Sequence, residues 1–118
     1  MIDHVTIRVK DLEKSREFYE KAFTPLGWKV SFGEDGVFHA FDIGKGFLFE
    51  IAKHQSDDPL TSTHIAFRVG SQEKVQEFHT TALGAGAIDN GKPGPRPDYT
   101  ENYYCLLYTS DAADDLFR

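Results

Sequence analysis

The sequence predicts an α+β fold: paired βαβββ modules forming a cupped mixed sheet with helices on the outside, the second module truncated or altered at its last strand. Two observations carry this. The stretch DHVTIRV, residues 3–9, returns sixty residues later as THIAFRV, residues 63–69, and each copy is followed by a segment of helical spacing. The chain of 118 residues is long enough for one shared core and too short for two independent ones.

Residues 2–9 alternate like a strand buried on one side, with Val5, Ile7 and Val9 on the apolar face and His4, Thr6 and Arg8 on the other. Asp11 is placed to cap a helix in which Leu12, Phe18, Tyr19 and Ala22 recur at helical spacing, until Pro25 and Gly27 stop it. Strands are expected at about 28–33, 36–43 and 46–52, separated by the turn signals Gly33-Glu34-Asp35-Gly36 and Gly44-Lys45-Gly46. A polar connector, 54–61, leads to the repeated strand at 63–69. Ser71 then caps a helix of about 72–84, ended by Gly84 and Gly86.

Laid on itself at an offset of sixty, the chain matches His4 with His64, Arg8 with Arg68, Val9 with Val69, Glu13 with Glu73, Lys14 with Lys74, Glu17 with Glu77, Phe18 with Phe78 and Ala22 with Ala82. Two copies of a unit that cannot bury its sheet face alone should pack together and share a core. The expected organisation is one domain over 1–118: a first module at 1–53, an incomplete second at 62–104 and a tail at 105–118.

Composition excludes several function classes. With 40% hydrophobic and 14% aromatic residues the chain is globular rather than disordered. No apolar run approaches the roughly 18 residues of a membrane span, and the chain opens on a strand-like segment instead of a leader, so a cytoplasmic protein with no membrane partner is expected. A net charge of −6 and a pI near 5.2 argue against nucleic acid. The single cysteine, Cys105, excludes an internal disulfide. GKPGPRP lacks the strand-to-helix context of a phosphate loop, and nothing supports a Ser-His-Asp or Cys-His arrangement.

The alternation also singles out a site. In each first strand the Val, Ile and Phe positions face the helix, so the histidine projects from the opposite, concave face. GFLFEIAK follows the same rule, with Phe47, Phe49 and Ile51 inward and Leu48, Glu50 and Ala52 concave. Two imidazoles and a carboxylate, His4, His64 and Glu50, make a donor set suited to a divalent transition metal, including the arrangement of two histidines and one carboxylate used by non-haem iron. Arg8 and Arg68 share the histidines' face, where their donor forks could hold a substrate carboxylate or pair with Glu50. The long loop GKPGPRPDYTENYY adds Arg96 and Tyr103 as pocket-rim candidates. His39 reads as a core or rim residue, and His54 and His79 as a connector and a helix-surface residue without a role.

The segments IDHVTIRVKDLEKSREFYEKAF, GFLFEIAK and STHIAFRV resemble the vicinal oxygen chelate superfamily, which groups glyoxalases, extradiol dioxygenases and the fosfomycin- and bleomycin-resistance proteins. The resemblance covers about residues 1–104. It implies a metal held by residues like His4, Glu50 and His64, a small-molecule substrate that binds through adjacent oxygens, and a homodimer that completes the cup with strands of both subunits. The metal could be zinc, nickel, iron or manganese.

The expected function is that of a divalent-metal-dependent lyase or isomerase, in which the ion stabilises an enediolate or catecholate while an exchangeable carboxylate moves a proton. One alternative is an extradiol-type dioxygenase. Another is a metal-free small-molecule binding protein of the bleomycin-resistance kind, although a pure binder has no need of a carboxylate between two histidines.

The departure lies at the end of the sequence. The superfamily's last strand carries a Glu, whereas this chain reads CLLYTSDAAD from Cys105 to Asp114, which resembles a translated sequencing adapter. The hypothesis that follows is that residues 105–118 are adapter read-through in a metagenomic fragment, which would account for the missing carboxylate and leave the catalytic residue unknown. Amplifying the locus from source DNA should return a different continuation; a genomic TSDAADD segment would sink the idea. A sheet without its proper last strand leaves an open edge, so the 118-residue chain should melt at low temperature or aggregate, and a cooperative transition with a high midpoint would contradict this.

Overall fold

The computed structural model describes residues 1–60, 63–95, 104–110 and 115–117; of these, 64, 89–95, 104–110 and 115–117 are described as backbone. The first module comprises β1 (His4–Val9), α1 (Leu12–Ala22), a 3-10 turn (Thr24–Leu26), β2 (Lys29–Glu34), β3 (Phe38–Asp42) and β4 (Leu48–Lys53). The second repeats the plan with β5 (Thr63–Ile65), α2 (Gln72–Gly84), β6 (Ala87–Pro95), β7 (Tyr104–Ser110) and β8 (Asp115–Phe117). Each module is a four-stranded mixed sheet, ordered β1-β4-β3-β2 and β5-β8-β7-β6. In both, the first strand pairs in parallel with the last and the other pairs are antiparallel.

Both helices begin where capping chemistry puts them. The Asp11 carboxylate accepts from the Lys14 amide at 3.0 Å, and the Ser71 hydroxyl accepts from the Lys74 amide at 3.2 Å. The first helix gives way to the 3-10 turn, which Gly27 closes in the left-handed region at φ 73°.

The repeat is visible in the core. Phe18 and Phe78, and likewise Ala22 and Ala82, occupy equivalent helix positions, and all four lie in one buried cluster with Ile7, Val9, Phe41, Phe49 and Ile51. Phe23 sits fully buried in this cluster. Its ring lies 5.3 Å from Tyr19 and from Phe41, 5.2 Å from Trp28, and 5.5 Å and 6.1 Å from Phe67 and Phe78 of the second module. His39 is likewise buried on the helix-facing side of β3, with Nε2 3.7 Å from the Glu13 carboxylate. His79, expected at the helix surface, is half-buried.

Two expectations are corrected. The repeated first strand extends over Thr63–Ile65 and not to Val69, because its parallel partner β8 offers only three residues, Asp115–Phe117. The loop expected from Gly91 is strand as far as Pro95, where β6 pairs with β7. Among the described residues β8 has three residues against six in β4. Among the described residues, no helix is long and apolar enough to cross a membrane.

Phe23→Ala should cost about 3–5 kcal/mol, the range for emptying a buried aromatic site. Urea unfolding measures it, and a loss below about 1 kcal/mol would show that the two modules do not depend on this ring.

Candidate functional site

The pairing register fixes which side chains share the face opposite the helices. The pairs Ile7 with Ile51 and Phe41 with Phe49 point into the core. The alternate positions therefore form three rungs on the other face. The first holds His4, Leu48, Asp42 and Lys29; the second Thr6, Glu50, Ala40 and Phe32; the third Arg8, Ala52, Phe38 and Glu34.

His4 and Glu50 are thus diagonal neighbours on adjacent strands, and each is held by a residue beside it. His4 Nδ1 lies 2.9 Å from the Asp3 carboxylate, to which it donates, leaving Nε2 as the free lone pair. Thr6 Oγ1 donates to Glu50 Oε1 at 3.1 Å. The hydrogen bond to Asp3, with the charge of Glu50 adding to it, raises the His4 pKa above the ordinary imidazole value. The same arrangement favours any other cation at this corner of the sheet.

Arg8 donates to the Lys53 carbonyl at 3.4 Å and makes no ion pair among the described residues. It does not pair with Glu50, so its guanidinium keeps donors for an anion. Arg68 is exposed and follows β5 outside any strand. The backbone of His64 lies in β5 opposite Leu116, as His4 lies opposite Leu48. β1 and β5 belong to separate four-stranded sheets. Arg96 and Tyr103 fall outside the described residues. Among the described residues, no three His, Cys, Asp or Glu side chains gather to hold a metal ion. The geometry therefore brings together His4 and Glu50, with Arg8 two positions along.

The supporting roles of Asp3 and Thr6 escaped the sequence reading, although both were within reach of it. Asp3 precedes the histidine directly, and Thr6 shares its alternation. The position of Phe32 on this face depends on a slip in pairing that no periodicity reveals.

The sequence matches the Glyoxalase/Bleomycin resistance protein/Dioxygenase superfamily over residues 1–111, and the chain belongs to that superfamily. Among solved structures it is similar to a glyoxalase/bleomycin resistance protein from Albidiferax ferrireducens, with TM-score 0.82 and 22% identity over 100% of this chain and 99% of that one. It is also similar to a glyoxalase-related enzyme from Fulvimarina pelagi, with TM-score 0.71 and 17% identity over 100% and 88%. A third similar structure is a mutant of the fosfomycin resistance protein FosX from Listeria monocytogenes, complexed with Mn(II) and 1S,2S-dihydroxypropylphosphonic acid, with TM-score 0.71 and 22% identity over 99% and 86%. No curated protein matches.

Proposed function

We propose that the chain is a divalent-metal-dependent lyase or isomerase acting on a small molecule with adjacent oxygens. The observation that carries this reading is the paired placement of His4 and Glu50 on one face, each oriented by its own hydrogen bond, His4 donating to Asp3 and Glu50 accepting from Thr6. A carboxylate behind the ligating imidazole is the usual support of a metal-bound histidine, and nitrogen and carboxylate donors suit zinc, nickel, iron or manganese. That FosX carries Mn(II) and a ligand with two adjacent hydroxyls fits the same chemistry.

His4 Nε2 and Glu50 would supply two donors, and a third would come from His64 or from a second copy of the chain in a homodimer. An ion so held supplies Lewis-acid stabilisation of negative charge developing on substrate oxygens. The protein's own part is to keep His4 in the tautomer with Nε2 unprotonated, to hold Glu50 against Thr6, and to offer Arg8 to an anionic substrate group. The base that moves a proton is not assigned.

A second reading is a metal-free binding protein that sequesters a small molecule on the same face. It is supported by the exposed ring of Phe32 and the donors left to Arg8 on that face.

Elemental analysis after reconstitution with each of the four metals separates the two readings. Near-stoichiometric metal that is lost in His4→Ala and Glu50→Ala is expected. Asp3→Asn and Thr6→Val should weaken retention by about 10- to 100-fold, as changes behind a ligand commonly do. No uptake of any of the four ions would overturn the metal reading in favour of the binding protein. Iron as the ion retained would direct the substrate screen to oxygen consumption.

A further inference from the structure

We propose that Phe32 and Phe38 form an aromatic subsite that selects substrates carrying a ring beside their adjacent oxygens. This rests on the reading above, in so far as the face of His4 and Glu50 is the substrate side.

The placement of Phe32 comes from one irregularity. In β2, Val30 pairs with Phe41 on the core side, and without a slip Phe32 would pair with His39 and point into the core as well. The register shifts between Val30 and Phe32, so that Phe32 pairs with Ala40. The extra residue, Ser31, moves the ring onto the face of Glu50. A β-bulge that re-aims a side chain is a recurrent feature next to active sites. The bulge is pinned from its far side, since a Cβ on Gly33 would lie 2.6 Å from the Phe38 carbonyl oxygen and 2.8 Å from His39 Nδ1, so β2 is closely applied to β3 there.

The result has a cost that packing does not explain. Phe32 is 50% exposed, one of the few large apolar side chains left in water. Its ring meets Phe38 edge to face, with centroids 5.9 Å apart and an interplanar angle of 78°. Opposite Phe32 and Phe38 stand Ala40 and Ala52, and beyond Ala40 on the same rung stands Glu50. The order Thr6, Glu50, Ala40, Phe32 therefore runs from hydrogen-bonded carboxylate through a small residue to an open aromatic face. Glu50 and Phe32 are separated by two strand spacings, roughly 10 Å between backbones. A substrate whose oxygens sit at Glu50 and His4 and whose ring lies a few bonds away spans that interval over Ala40. The ring would complete an aromatic cluster with Phe32 and Phe38.

The chemical class is an aryl-substituted molecule with adjacent oxygens, and a matched pair of probes isolates the ring. Lactate and 3-phenyllactate carry the same hydroxyl and carboxylate and differ by one phenyl group. Calorimetric titration of the 118-residue chain, metal-free and with zinc added, should show 3-phenyllactate binding about tenfold more tightly than lactate, the effect of one good aromatic contact. Phe32→Ala should reduce that preference to about twofold or less while leaving lactate affinity unchanged, and Phe32→Leu should retain only part of it. Both variants should keep the parent's melting midpoint, because the side chain is half in water.

Equal affinities for the two probes, binding of neither, or a ring preference that survives Phe32→Ala would each overturn the subsite. The metal content of the same samples keeps the two proposals apart. A ring preference dependent on Phe32 in protein that retains no zinc supports the subsite and counts only against zinc as the ion.

Discussion

The contact on which the rest of the structure depends is the burial of Phe23 between the modules. Its ring touches aromatic side chains from α1, β3 and β4, and also Phe67 and Phe78 from the second half. Neither sheet could cover its helix-facing side alone at this size, and one shared aromatic cluster solves the problem for both. Once Phe41, Phe49, Ile51, Ile7 and Val9 are committed to that cluster, period-two alternation leaves no choice for their neighbours. His4, Thr6, Arg8 and Glu50 must lie on the other face. A slip of one residue in β4 would bury Glu50 and expose Phe49, so the proposed site is held in register by the same apolar burial that stabilises the sheet.

That face carries carboxylates at one end and aromatic rings at the other. Asp3 and Glu50 act together on His4, and their effect is to hold positive charge at the corner formed by β1 and β4. Arg8, free of ion pairs among the described residues, offers a guanidinium at the other end of β1, four residues from His4. Phe32 and Phe38 close the far side across β3 and β2. Because the three rungs are short, all of these features fall within the breadth of four strands, roughly 15 Å at ordinary strand spacing.

Much of this was legible in the sequence because it follows from alternation and capping. The helices begin at Asp11 and Ser71 as their side chains dictate, and the concave placement of His4 and Glu50 follows from the apolar positions around them. What could not be read were features set by a partner strand. The strand expected to run to Val69 ends at Ile65 because β8 is short, and strand length is decided by the neighbour as much as by a residue's own propensity. The bulge at Ser31 is invisible for the same reason, since SFGE alternates no differently from any polar edge segment. His39 shows the reverse case. Its alternation with Phe41 left a core or a rim position open, and it is buried beside α1.

The repeat that creates the fold does not create two equal sites. The two first strands keep the histidine and the arginine in step, His4 with His64 and Arg8 with Arg68, but the residues that support the first site are not repeated. Asp3, which orients His4, corresponds to Thr63, and Thr6, which holds Glu50, corresponds to Ala66. A threonine hydroxyl cannot stand in for the Asp3 carboxylate as a charged partner, and an alanine cannot hydrogen-bond at all. The second module therefore keeps the imidazole and the guanidinium but not the Asp3 carboxylate or the Thr6 hydroxyl. On the proposed metal reading its part is to complete a site that the first module organises, either from within the chain or from a second copy, since the hydrogen bonds that orient His4 and Glu50 both lie in the first module.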